Sequence, residues 1–256
     1  MNIRIGTPLR TIIVALAVYL GSYAHAQSLP DNPPDQVIAA AAATFGEYST
    51  GYSLDDFIKS ALDSTRPVPP GSNAETPIIV PITINRHPHG SILGGPVYPS
   101  QLITSLVRMS NIVCIGEPLK SWTYPTAEKT FGVTIYLVKL TNTVVPDKLN
   151  DPSLGCIYIA KPGGRFTYDN KYFFAVDKDF PALTLHDSYL FFATRVGPAS
   201  YKVTPQQTLK VSGSSVIETS VEHLYAEYFK SRNLDAIMRE ASDAWNQSDA
   251  ARKESR

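Results

Sequence analysis

The sequence predicts an α+β fold: an antiparallel β-barrel or small sandwich with helices on its flanks. Three observations carry this reading. Residues 112–217 form a succession of short β-branched and aromatic runs separated by turn signals. Helical periodicity is confined to stretches on either side of that block. The composition, with 20 Pro, 15 Gly, 14 Tyr and 10 Phe, is rich in turn formers and in aromatic side chains.

The first 26 residues read as a secretory leader. Arg4 and Arg10 give a basic start, Thr11 to Leu20 form an apolar run, and Ala24-His25-Ala26 makes an A-x-A cleavage site before Gln27. The run is shorter than the roughly 20 residues that span a bilayer, so cleavage rather than anchoring is expected. No second apolar stretch of spanning length occurs after it. The protein is therefore expected to be exported, periplasmic or secreted, with no membrane span after cleavage. Lys+Arg and Asp+Glu are both 23 in the whole chain, and removing Arg4 and Arg10 leaves a slight net negative charge. Basic residues are scattered rather than clustered, which gives no footprint for nucleic acid.

Residues 27–99 are expected to form a flexible, partly helical N-terminal extension. Within it Val37 to Thr44 is an Ala-rich helical stretch. Ser53 to Ser64 places Leu54, Phe57, Ile58, Ala61 and Leu62 on one face, with Ser53 and Asp56 at capping-box positions. Thr65 to Pro99 is turn-rich, with one short strand at Ile82-Thr83-Ile84. A helix opens at Ser100, carrying Leu102, Ile103, Leu106 and Val107.

The β domain is expected over 100–217. Its strands are Ile112 to Gly116, Phe131 to Thr141, Cys156 to Ala160, Tyr172 to Asp177, Ser188 to Arg195, Ser200 to Thr204, and Thr208 to Ile217 with a break at Gly213. Turns stand at Pro162-Gly163-Gly164, Asp169-Asn170 and Gly197-Pro198. Residues 218–256 form C-terminal helices and a tail. Thr219 and Glu222 make one capping box, and Asn233 caps a helix whose Leu234, Ile237, Met238, Ala241 and Trp245 share a face. Beyond Asn246 the tail is polar and expected to fray.

The order of elements over 105–217 carries a resemblance. A helix leads into MSNIVCIGEP, and then come FGVTIYLVKLTNTVVP, CIYIAKPGG, PALTLHDSYLFFAT and YKVTPQQTLKV. This resembles a module of exported bacterial proteins of unassigned function and, more distantly, the OB-type barrel of netrin-like and metalloproteinase-inhibitor domains. The resemblance covers under half of the chain and implies an OB-like barrel. Inhibitors of that group reach a protease zinc with an N-terminal cysteine. Here the expected mature start is Gln27-Ser28, so the inhibitory chemistry does not carry over. The glycine of the pattern before SYLFF is replaced by His186-Asp187, and the KG after the long strand reads Lys139-Leu140.

Cys114 and Cys156 each lie in a β-branched run. In an oxidising compartment an even pair is most simply a disulfide, and closing their loop would stabilise the fold by roughly 4 kcal/mol in the chain-entropy model. His87-Pro88-His89 is the local metal candidate, although zinc requires further ligands from distant sequence. Asp177, Asp179 and Asp187 stand near strand ends and read as turn formers. Pro162-Gly163-Gly164 lacks the frame of a phosphate loop and reads as a turn. The aromatic cluster Tyr168, Tyr172, Phe173 and Phe174, with Arg165 and Lys171, offers a stacking surface, and Arg165, Tyr168, Lys171 and Tyr172 are its expected ligand face. No G-x-S-x-G, S-x-x-K or H-E-x-x-H occurs, and no cofactor-binding pattern is present.

The functional expectation is a non-enzymatic exported protein whose barrel binds a ligand or protein partner of the cell envelope. The alternative is a hydrolase with a dispersed Asp/His active site.

Overall fold

The computed structural model describes residues 29–45, 48–49, 51–63, 78–81, 83–84, 98, 101–147, 155–219 and 223–254. Met1–Asp31 and Asn32–Arg256 are separate units. The described residues of the first, 29–31, carry no helix or strand. In the second, the fold is α+β, with a large and mostly antiparallel sheet and a few helices.

Strand β4 (Ile112–Pro125) and strand β5 (Gly132–Val145) form a long antiparallel pair. β4 extends nine residues past the expected end at Gly116, and register shifts at Val113/Cys114, Ile115/Gly116 and Pro118/Lys120 bend it along the way. β5 continues antiparallel to β6 (Cys156–Pro162), while β4 pairs on its other side with β9 (Ser188–Gly197). The short strand β10 (Ser200–Lys202) has two partners, running parallel to β6 and antiparallel to β9. β4, β5, β6, β10 and β9 thus each have a strand neighbour on both sides. β11 (Thr208–Ser212) and β12 (Ser215–Thr219) extend the sheet beyond β9 as a hairpin. Gly213, at φ +56°, stands in the turn where the sequence predicts a break.

A second sheet joins β7 (Gly164–Tyr168), β8 (Lys171–Val176) and β2 (Ile78–Pro81), the last parallel to β8. The Asp169-Asn170 turn of the β7–β8 hairpin has both central residues at positive φ, as a type I′ turn requires. β1 (Tyr48–Ser49) pairs with β3 (Thr83–Ile84).

The helices are α1 (Asp35–Ala42), α2 (Leu54–Asp63), α3 (Leu102–Met109), α4 (His223–Lys230) and α5 (Leu234–Glu254). The capping box of α2 forms as the sequence predicts. The Asp56 amide donates to Ser53 Oγ at 3.2 Å, and the Ser53 amide donates to Asp56 Oδ2 at 3.0 Å. Asn233 caps α5, its Oδ1 accepting from the Asp235 amide at 2.8 Å. That helix runs to Glu254 instead of fraying after Asn246.

Burial sorts the molecule into three cores. Alternation on β5 turns Tyr136 and Val138 to one face, where they meet Ile112, Cys114, Ile157, Ile159, Tyr189, Phe191, Ala193 and Tyr201. All five strands with two neighbours contribute to this cluster, and Phe180 and Leu183 cover it from the β8–β9 loop. On the opposite side of the sheet, Leu102, Ile103, Leu106 and Val107 of α3 pack with Phe229, Leu234, Ile237 and Ala241 against Val113, Leu190 and Phe192. The third core gathers Val37, Ala41, Phe45 and Leu54 with Phe131, Val133, Ile135, Phe166 and Phe173. Within 32–99, the described residues Val37, Ala41, Phe45, Tyr48, Leu54, Ile58 and Val80 are part of this third core.

The Cys114–Cys156 bridge expected from the sequence is not formed; both are free thiols. Cys114 stands opposite Thr143 and Cys156 opposite Lys139, on the two sides of β5. Two strand spacings and four residues of rise separate their Cα atoms by roughly 16 Å, far beyond the ~7 Å limit for a bridge. Alternation along β6 also turns Cys156 away from the face that carries Ile157 and Ile159. Burial pushes the Cys114 thiol up to about 12, so the two thiols should react very differently. A thiol reagent at neutral pH is expected to modify Cys156 in the native protein and Cys114 only after denaturation, as read by peptide mass spectrometry.

Ile237 is fully buried between α5 and the sheet. Ile237→Ala is expected to lower unfolding free energy by about 2–5 kcal/mol in urea titrations. A negligible loss would mean that α5 does not dock on this face.

Candidate functional site

Inward-facing positions on β6 alternate Ile157, Ile159, Lys161. The third of these is a lysine where the pattern calls for an apolar residue. Lys161 pairs with Thr134 as Ile159 pairs with Tyr136, so its side chain emerges at the end of the Tyr136–Phe191 core. It is 3% exposed. The ammonium donates to the Pro162 carbonyl oxygen at 3.0 Å and stands 4.5 Å from the centroid of the Phe180 ring. Burial holds it down to about 8, against the opposing pull of the Asp177 carboxylate.

Asp177 comes directly after the last residue of β8 and is also buried. Its Oδ1 accepts from the Asp179 amide at 3.0 Å, an Asx-type turn that starts the β8–β9 loop. Oδ2 is shielded from solvent with no hydrogen-bond partner among the described residues. Burial pushes this carboxyl above its ordinary value, opposed by the Asp179 amide and by Lys161. Among the described residues no ion pair joins the two side chains, although each feels the other's field.

Both line one cleft of about 320 Å³. Thr134, Tyr136, Gly163 and Gly164 bound it on the sheet side, Phe174 and Val176 on the hairpin side, and Phe180, Pro181 and Ala182 on the loop side, with exposed Lys178 at the rim. The neighbouring hydroxyls are engaged. Thr134 Oγ1 donates to the Gly163 carbonyl oxygen, and Tyr136 Oη accepts from the Leu183 amide at 3.1 Å. Tyr189 Oη likewise accepts from the Thr184 amide at 2.9 Å. Two buried tyrosines thus pin the loop that walls the cleft. Gly164, at φ +131°, is required where the chain turns into β7: a Cβ there would lie 2.1 Å from Thr134 Oγ1. Beyond the loop a smaller cleft of about 240 Å³ is flanked by Lys210, which pairs with Asp187 at 2.9 Å and with Glu218 at 3.7 Å.

The expected ligand face is divided. Arg165 pairs with Phe174 and Tyr168 with Lys171 across the hairpin, so alternation puts Arg165 and Tyr172 on one face and Tyr168 and Lys171 on the other. Phe173 is fully buried, and the Tyr168 hydroxyl donates to Asp55 Oδ1 at 3.1 Å, tying the hairpin to α2. None of the four expected residues lines the cleft; Phe174, on whose ring the Arg165 guanidinium stacks at 5.0 Å, does. His87 and His89 lie outside the described residues. Among the described residues, no group of three or more His, Cys, Asp or Glu side chains could hold a metal. Of the three aspartates, Asp177 enters the cleft and Asp187 the salt bridge, and the Asp179 backbone holds the turn. Lys161 escaped the sequence reading, yet its signal is there: it extends the inward alternation of Ile157 and Ile159.

No protein-family model matches this chain, and no curated protein matches it in sequence.

A lysine held at about 8 in the fold, against 10.5 as its ordinary value, binds its proton more weakly when folded. That penalty is fully present below pH 8 and fades as pH rises to 10.5. Lys161→Met is expected to stabilise the protein at pH 7 by about 1–3 kcal/mol. The gain should shrink between pH 8 and 10.5, as monitored by denaturant titration at several pH values. A gain independent of pH would remove the buried charge from the account.

Proposed function

We propose that this is an exported, non-enzymatic binding protein of the cell envelope, periplasmic or secreted, whose OB-like barrel takes a small ligand in the Lys161–Asp177 cleft. The strand pairings support the barrel reading. The cycle β4-β5-β6-β10-β9 returns to β4, and its one parallel contact, between the third and fifth strands, matches the OB-type order. The core inside that cycle is filled with side chains, and the Lys161–Asp177 cleft lies at its end. Export rests on the basic start, apolar run and A-x-A site of the leader.

The observation that carries the binding reading is the unpaired placement of Lys161 and Asp177. A buried ammonium and a buried carboxylate oxygen lacking a partner destabilise a fold, and sites of that kind are retained where they meet a ligand. A hydrolase of the expected kind needs carboxylates or histidines in reach of one another. Among the described residues the cleft brings together one carboxylate and no histidine.

Wild-type and Lys161→Met protein, each purified without denaturation from the envelope fraction, should differ in their extracts. A small molecule is expected by mass spectrometry with the wild type and not with the variant, on chains beginning at Gln27. Identical extracts would sink the binding reading. An ester- or glycoside-cleaving activity abolished by Asp177→Asn would replace it with the hydrolase.

A further inference from the structure

The chemistry of the same cleft narrows the class of ligand, an inference that rests on the binding reading above. Lys161 and Asp177 are the two buried charged groups on its floor, and both have hydrogen-bonding capacity left over. The ammonium has three N–H donors, one of them directed to Pro162, and Asp177 Oδ2 is a buried acceptor lacking a partner among the described residues. Beside them the Thr134 hydroxyl donates to the Gly163 carbonyl oxygen, and Tyr136 Oη accepts from the Leu183 amide, which leaves the tyrosine one further donor and no negative or positive charge. The two charged ends are too far apart to pair directly, so a group seated between them can accept from one and donate to the other.

Opposite charges make the floor neutral as a whole. A ligand carboxylate would satisfy Lys161 and face Asp177; a ligand ammonium would satisfy Asp177 and face Lys161. Either brings an unbalanced charge into a buried site. Lys178, the other charged side chain of the lining, is exposed at the rim and hydrated there. The walls are apolar, with the rings of Phe174 and Phe180 and the Val176 side chain facing the space. We propose that the cleft recognises an uncharged head group offering one acceptor and one donor, a primary carboxamide being the simplest, carried on a flat apolar body.

Three probes with one ring and different heads test this: benzamide, benzoate and benzylamine, titrated into the full chain and monitored by the amide NMR signals of Gly163, Gly164 and Ala182. Benzamide is expected to shift these signals saturably and to bind about tenfold more tightly than either charged probe. Asp177→Asn keeps Oδ1 for the Asp179 amide and replaces Oδ2 with a donor, leaving Lys161 as the one charge on the floor. In that variant the preference is expected to turn to benzoate, with signals outside the cleft unmoved. A wild type that prefers benzoate or benzylamine, or an Asp177→Asn variant that keeps the benzamide preference, overturns the head-group assignment and leaves the cleft as the binding site. If none of the probes moves the cleft amides of the wild type, the assignment and the binding reading fall together.

Discussion

Strand β10 is three residues long, yet its hydrogen bonds reach β6 on one side and β9 on the other, and the rest of the structure depends on that double pairing. Without it β6 would end the sheet with unpaired backbone groups. A buried polar latch reinforces it. Asp147, just past the end of β5, receives the Arg195 guanidinium from β9 through Nε and Nη2, and the Tyr201 hydroxyl from β10 at 3.0 Å. The carboxylate is almost wholly buried, so loss of the Arg195 guanidinium would remove the opposite charge from an anion shielded from water. With the strands held this way, Tyr201 enters the same core as Tyr136 and Phe191. The outer faces of the sheet are left to α3 and α5 on one side and to α1, α2 and the hairpin on another.

The position of the cleft is set by where that core ends. Ile157 and Ile159 fill it from β6, and the next inward position carries Lys161 in place of an apolar side chain. Phe180 and Leu183 come over the end on a loop whose amides are held by Tyr136 and Tyr189. The tyrosine hydroxyls thus satisfy backbone groups that packing alone would leave bare. Lys161 and Asp177 work against stability in the same place, each pushed toward its neutral form by burial. A fold otherwise consistent in its local choices breaks its own pattern at this cleft, and such breaks concentrate where a protein does its work.

Local signals were the legible part. Ser53 and Asp56 form the capping box they spell, Asp169-Asn170 makes the hairpin turn, and Gly213 divides β11 from β12. Signals that rely on distant partners were read less well. Pro162-Gly163-Gly164 reads as a turn, and β7 starts at its last residue, because Arg165 to Tyr168 pair with β8 and the hairpin is tied to α2. β4 outruns its β-branched start because β5 is there to pair with Glu117, Pro118, Lys120 and Ser121, residues of poor strand propensity that lead on to Trp122, Thr123 and Tyr124. Cys114 and Cys156 share a sequence context and lie on opposite sides of β5. The aromatic face split because successive residues of a strand point to opposite sides; which residues of the two strands share a side was visible only once the register was known.

By itself the sequence determined the α+β class, most strand and helix positions, and the alternation that faces Lys161 inward, since these depend on side-chain spacing within a few residues. It also carries the basic start, apolar run and A-x-A site on which the export proposal rests. Tertiary structure alone decided that β10 bridges β6 and β9, that the N-terminal helices belong to a core, and that the two thiols stay apart. It also decided that Lys161 meets Asp177. Each of these joins residues far apart in the chain, and such pairings are set by which buried surfaces and backbone groups can be satisfied together in three dimensions.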